Sequence, residues 1–150
     1  MLGPGDPAPQ VRAPNQDGET VAPDLAGPTV FAFYPRDDTP GCTTELDQFV
    51  REYDTYLEAG VAVYGVSTDG VDSHAAFAAD LGADFDLVAD PDGAVAAAFG
   101  VGLRDDGAAP RTTVVVLDGE VHRVYEAVNP DGHAREVLMD LLEEGVVQLA

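Results

Sequence analysis

Short apolar runs alternate with polar, turn-forming stretches along this chain, and the spacing of the apolar positions changes from run to run. Residues 29–34 (TVFAFY) and 61–66 (VAVYGV) are β-rich and apolar without alternation, as strands buried on both faces require. Between them Leu46, Phe49, Val50, Tyr53 and Leu57 recur at helical spacing, which predicts a helix starting near Cys42 and stopping at Gly60. Core packing is the expected role of Phe49, Tyr53 and Tyr56 on that helix. A second helix is predicted over 72–81, closed by Gly82, followed by a short strand at 87–89 and a short helix over 92–99. Residues 112–117 (TTVVVL) and 121–126 flank Asp118-Gly119, a strong hairpin signal. The last helix has Asn129 as its expected N-cap and Pro130 at its first position, with Ala134, Val137, Leu138, Leu141 and Leu142 on the buried face. Upstream of all this, a proline-rich stretch (Pro4, Pro7, Pro9, Pro14) with an Asp17-Gly18 turn predicts a short hairpin laid over a sheet edge.

The predicted order is strand, helix, strand, helix, short strand, short helix, hairpin, helix. Crossover helices imply parallel strands and the closing hairpin adds an antiparallel pair. The fold class is therefore α/β: a mixed central β-sheet flanked by helices, thioredoxin-like in outline, with an N-terminal β-hairpin. With 150 residues, no repeat and no linker, one domain spanning 1–150 is expected.

Charge sharpens the picture. Seven arginines and no lysine stand against 28 acidic residues, a formal charge of −21. Such a surface repels nucleic acid and anionic membrane, so neither is an expected partner. The acids are spread evenly and form no tail. Self-repulsion on this scale is tolerable where counterions screen it, the screening length shrinking to ~3 Å near molar salt. The expectation is adaptation to a salt-rich cytoplasm. The opening MLGPGDPAP carries no charged-then-apolar leader, which predicts a cytoplasmic location.

One cysteine, Cys42, excludes an internal disulfide, a CxxC redox pair and a cysteine-caged zinc. It lies in FYPRDDTPGCTTE, residues 33–45, where a strand ends, Pro40-Gly41 turns the chain and a helix begins. First-turn amides have no partner within a helix, and the helix dipole places positive charge there. A thiol so placed is biased toward thiolate, and Thr39 can set its hydroxyl beside the sulfur. Most free cysteines are inert packing. Here the polar, turn-forming flanks and the strand-to-helix junction favour a reactive one.

Pro35-x-x-x-Thr39-x-x-Cys42 matches the PxxxTxxC signature of the peroxiredoxins, and the longer segment resembles their Q subfamily, the bacterioferritin-comigratory protein type. The resemblance runs from Gly5-Asp6-Pro7-Ala8-Pro9 through Asp17-Gly18 to the C-terminal helix. It implies a thiol peroxidase that reduces hydrogen peroxide and small organic hydroperoxides through a sulfenic acid on Cys42. Pro35 would then shield the sulfur from water and Thr39 would hydrogen-bond the peroxide. Arg111, at the start of a late strand, matches the family's arginine, and Glu45 the helix-borne acid that holds it. The amides of Gly41 and Cys42 could donate as well.

The chain departs from the family where many members carry a second cysteine, five residues after the first: here stands Asp47. It resembles a one-cysteine variant, whose sulfenic acid needs an external thiol, either a low-molecular-weight thiol or a thioredoxin- or glutaredoxin-like protein, or else Cys42 of another copy. Monomer and homodimer are both compatible. No metal, flavin, haem or nucleotide is implied. His74, His122 and His133 have no ligand spacing, and Gly100-x-Gly102 follows a helix, unlike a dinucleotide fingerprint. Asp90-Pro91-Asp92-Gly93 lacks the later ligands of a calcium loop and is expected to be a turn leading into a helix cap. Asp37-Asp38, Asp105-Asp106 and Glu143-Glu144 are expected to be solvated surface acids. The rival from another class is a non-catalytic thioredoxin-fold module, redox-sensing or chaperone-like. A thiol–disulfide oxidoreductase is weaker still, since Glu45 occupies the place of a CxxC partner.

Overall fold

The computed structural model describes residues 1–149. Its elements run β1 (Ala13–Pro14), β2 (Thr20–Val21), β3 (Thr29–Phe33), α1 (Pro40–Glu58), β4 (Ala62–Ser67), α2 (Val71–Leu81), β5 (Asp86–Ala89), α3 (Ala94–Ala98), β6 (Thr112–Leu117), β7 (Glu120–Tyr125) and α4 (His133–Glu143). Five strands form one sheet in the order β5-β4-β3-β6-β7. β3, β4 and β5 are mutually parallel, while β6 and β7 join antiparallel. This is the helix-flanked mixed sheet, thioredoxin-like, that the order of elements predicts.

β3 lies at the centre and is buried throughout. Its alternation divides the core by face. Val30, Ala32 and Tyr34 pack with Leu46, Phe49 and Tyr56 of α1, Phe77 of α2 and Val137 and Leu141 of α4. Phe31 and Phe33 point the other way, toward Val95 of α3, Phe99 and the N-terminal segment. Side chains of β5 and α1 close over Gly65 in β4: a Cβ there would stand 2.8 Å from Leu87 Cδ2 and 3.2 Å from Leu46 Cδ1.

The β1–β2 hairpin covers the sheet edge at β5. Gln16 Oε1 accepts the Leu87 amide at 3.0 Å, and Asn15 Nδ2 donates to Asp86 Oδ1 at 3.1 Å. One backbone donor of the edge strand, the Leu87 amide, is thereby closed to intermolecular pairing. Asp118 and Gly119 both take positive φ, as the tight turn between twisted strands demands. Asp90 caps α3 by accepting the amides of Val95 and Ala96.

The start of α4 differs from expectation. Asn129 and Pro130 precede the helix; it begins at His133, behind Gly132 with φ of 86°. Asn129 Oδ1 instead accepts the Asp131 amide in a local turn. Gln48 of α1 grips the segment from outside, accepting the Gly132 amide at 2.7 Å and donating to Asp131 Oδ1 at 2.8 Å. That tertiary clasp holds residues 131 and 132 out of helical geometry.

Candidate active site

β3 delivers the chain to the site and α1 carries it away. Pro35 is buried directly after the strand, and Thr39 takes extended dihedrals at the N-cap of α1. Pro40, which has no amide hydrogen, occupies the helix start, where none is needed. The first ladder bond runs from the Thr43 amide to the Thr39 carbonyl at 2.8 Å, so the amides of Gly41 and Cys42 lie ahead of it. The Thr39 hydroxyl does not cap the helix; it donates to the Arg36 carbonyl at 3.0 Å. The helix begins at Pro40, so Cys42, the expected start, is its third residue, and it is 1% exposed.

Antiparallel pairing of β3 with β6 sets Thr112 opposite Phe33. Arg111 therefore enters the sheet beside the exit of β3, which is how a residue 69 positions downstream reaches the cysteine. Its Nη1 donates to Glu45 Oε1 at 2.8 Å and its Nη2 to Cys42 Sγ at 3.6 Å. Gly41 leaves the guanidinium room: a Cβ there would stand 3.0 Å from Nη2. The structure thus brings Gly41, Cys42, Glu45 and Arg111 together, with Thr39 in the same helical turn and Pro35 at the base of the loop.

Glu45 is fully buried on α1, one turn past Cys42, and its second oxygen, Oε2, has no hydrogen-bond partner. Burial raises its carboxyl above the ordinary carboxylate range, against the opposing pull of the Arg111 hydrogen bond and charge. Burial also works against the Arg111 charge. The Glu45 hydrogen bond and the field of the Cys42 sulfur outweigh it and push the guanidinium up. A permanently cationic donor therefore faces the sulfur from a side chain that is itself tethered.

A second cluster lies on the other flank of the loop, and the sequence alone conceals it. Asp37, expected on the solvated surface, has its side chain 3% exposed and touches His74 Nδ1 at 2.7 Å. Tyr34 donates to Asp37 Oδ1 at 2.7 Å and Ser73 to Oδ2 at 2.8 Å. His74 Nε2 reaches the Val88 carbonyl at 3.0 Å. Asp69 accepts from the Asp37 amide and from the Ser67 hydroxyl. Burial first and Asp37 second raise the Tyr34 phenol well above its ordinary range, so it remains a donor. Asp38, next in the loop, takes φ of 58°, a conformation costing roughly 1–2 kcal/mol for a residue with a side chain. Ligand-type atoms of Asp37, Asp69 and His74 lie within 4.8 Å of one another. They are the residues that could hold a cation, yet each is already engaged in the hydrogen bonds above. One local signal was available: His74 shares a helix face with Phe77 and Ala78, which marks it as buried.

His133 is buried too, between Thr113 Oγ1 at 2.8 Å and Glu136 Oε1 at 3.0 Å. His122 is half-buried on β7 and contacts Glu144 at 2.7 Å. Among the described residues no helix is long and apolar enough to cross a membrane.

Residues 4–134 match the model of the AhpC/TSA family. The chain is 34% identical over 149 residues to peroxiredoxin Bcp of Escherichia coli strain K12, covering 93% of this chain and 95% of that protein. Peroxidoxin BcpB of Mycobacterium tuberculosis superposes with a TM-score of 0.88 at 34% identity, covering 95% of this chain and 98% of that one. The Xanthomonas campestris bacterioferritin comigratory protein, solved in a study of its alkyl peroxide reduction activity, superposes with a TM-score of 0.82 at 32% identity. It covers 89% of this chain and 91% of its own.

Proposed function

Since the chain belongs to the AhpC/TSA family as a peroxiredoxin of the Bcp and PrxQ kind, and is a thiol peroxidase, we propose that Cys42 is its peroxidatic residue. The Cys42 thiolate attacks the terminal oxygen of hydrogen peroxide or a small organic hydroperoxide. An S–O bond forms as the O–O bond breaks, and the departing oxygen takes a proton to leave as water or an alcohol. Sulfur is oxidised to the sulfenic acid and the peroxide is reduced.

The observation that carries this assignment is the Arg111 fork, with one nitrogen on buried Glu45 and the other 3.6 Å from Sγ. Arg111 favours the thiolate and donates to the oxygen on which negative charge grows. Glu45 holds the fork at a fixed angle, which the single ammonium of a lysine could not reproduce. The Thr39 hydroxyl spends its proton on the Arg36 carbonyl, so its oxygen is left to accept the peroxide O–H and line up the bond to be broken. The Gly41 and Cys42 amides add donors, and Pro35 keeps bulk water from the sulfur.

With a single cysteine, turnover requires an external thiol, either small or carried by a thioredoxin- or glutaredoxin-like protein. Asp47, where many relatives have their second cysteine, pairs on the surface with Arg51 at 2.9 Å. Resolution by Cys42 of a second copy is the other route, and monomer and homodimer each remain compatible. The working unit is one peroxidase domain, 1–150, in a cytoplasm rich in salt. Unfolding midpoints that rise steadily from low to molar salt are the expected outcome of its charge of −21.

The burial of Cys42 favours a second reading, a non-catalytic redox-sensing or chaperone-like module whose cysteine only senses oxidation. Mass spectrometry after timed peroxide treatment, with and without small thiols, separates the two. The peroxidase gains one oxygen on Cys42 far faster than a free thiol does and shows a mixed disulfide when thiol is present. A Cys42 oxidised no faster than a free thiol supports the module.

A further inference from the structure

The Asp37 cluster is buried, nearly saturated with hydrogen bonds, and attached to the same loop that presents Thr39. Val88 offers His74 only a carbonyl, so Nε2 carries a hydrogen. Nδ1 and Asp37 Oδ2, 2.7 Å apart, share one more proton. Asp37 also accepts from Tyr34 and from Ser73, so both of its oxygens are engaged. The groups facing the His74 ring are Tyr34 from β3, Asp37 from the loop, Val88 from β5 and Ser73 from its own helix, with Asp69 beside them.

From this clamp a short chain leads to the site. The peptide joining Arg36 to Asp37 is held at its amide hydrogen by Asp69 Oδ2 at 2.8 Å, while its carbonyl accepts the Thr39 hydroxyl at 3.0 Å. The direction of the Thr39 hydroxyl is thus set by a peptide plane whose own orientation is set by Asp37 and Asp69. We propose that His74 and Asp37 are positioning residues for peroxide reduction: their hydrogen-bonded pair clamps the Arg36–Asp37 peptide and, through it, aims Thr39 at the peroxide. This inference rests on the peroxidase assignment to Cys42.

The test is the second-order rate of Cys42 oxidation by hydrogen peroxide, followed by stopped flow in the full chain. The parent's rate reports on the peroxidase assignment, and the ratios among variants report on the clamp. Asp37→Ala should slow the reaction about tenfold to a hundredfold, the scale of a small misplacement of a reacting group. Made in a Thr39→Val background, it should add no further loss, since both act through one hydroxyl. Asp37→Asn should recover most of the rate, because its carboxamide can accept from Tyr34 and donate to Nδ1 of a neutral ring. Tyr34→Phe, which leaves the pair in place, gives the same test in milder form should Asp37→Ala not fold. An Asp37→Ala rate close to the parent, losses that multiply with Thr39→Val, or an Asp37→Asn rate no better than that of Asp37→Ala would each overturn the proposal.

Discussion

Two hydrogen-bonded base–acid pairs flank the loop between β3 and α1, and they are built differently. His74 and Asp37 approach to 2.7 Å with both ring nitrogens and both carboxylate oxygens engaged. Arg111 and Glu45 approach to 2.8 Å, but Glu45 Oε2 has no partner and the other arm of Arg111 is turned to a sulfur. The first pair is saturated and can only hold. The second leaves one guanidinium arm facing the sulfur, where the proposed mechanism places the growing charge of the peroxide, and it carries the destabilisation of a carboxyl buried with half its hydrogen bonds. Rigidity on one flank and unsatisfied polarity on the other divide the work of the loop.

The comparison breaks most visibly on the catalytic flank. Arg111→Ala should lower kcat/KM for peroxide by about 10²–10³-fold, the loss typical of one charge-stabilising donor, with the sheet intact by circular dichroism. Arg111→Lys should recover only part of it. On the other flank the largest expected effect is on stability. His74→Ala removes the ring partner of Asp37 Oδ2 and of the Val88 carbonyl, a cost of roughly 1–3 kcal/mol read by denaturant unfolding.

Glu45→Gln should reverse the sign. Burial raises the Glu45 carboxyl, so the native state holds its proton more tightly than the unfolded chain does. Stability is therefore full below the ordinary carboxylate range and declines as pH rises through the raised value. The glutamine variant should match the parent at low pH and melt higher near neutrality, although it reduces peroxide more slowly. His133 supplies a contrast within the same titration. Burial lowers its pKa despite the opposing Glu136, so stability is present above the ordinary histidine range and lost as pH falls through the depressed value. His133→Gln should flatten that acid limb of the melting curve. The smallest effect is expected from Gly41→Ala, whose Cβ would push on Arg111 Nη2 from 3.0 Å. A displacement of a few tenths of an ångström should slow peroxide reduction about threefold, a small share of what positioning supplies.

How much of this is legible before folding depends on whether the signal is local. The runs 29–34 and 61–66 and the Asp118-Gly119 turn are short-range patterns, and the strands and hairpin follow them to within a residue or two. Cys42, Thr39 and Pro35 stand in one contiguous motif. Arg111 and Glu45 were reachable only through resemblance to a family, because nothing near either residue indicates that β6 will pair with β3. Asp37 looked like one of 28 acids on a surface. Its burial depends on Tyr34, Ser73 and His74, two of which lie on α2, more than 30 positions downstream. The start of α4 failed for a similar reason: Asn129 and Pro130 are good helix-start residues, overruled by Gln48, a side chain more than 80 positions upstream.

Rapid mixing of the fully reduced protein with one equivalent of hydrogen peroxide, read as loss of the Cys42 thiol, tests the central claim most directly. Stoichiometric loss many orders of magnitude faster than that of a simple thiol, and slowed sharply by Arg111→Ala, is the predicted result. Loss no faster than that of a free cysteine, or a fast loss indifferent to Arg111, would contradict it.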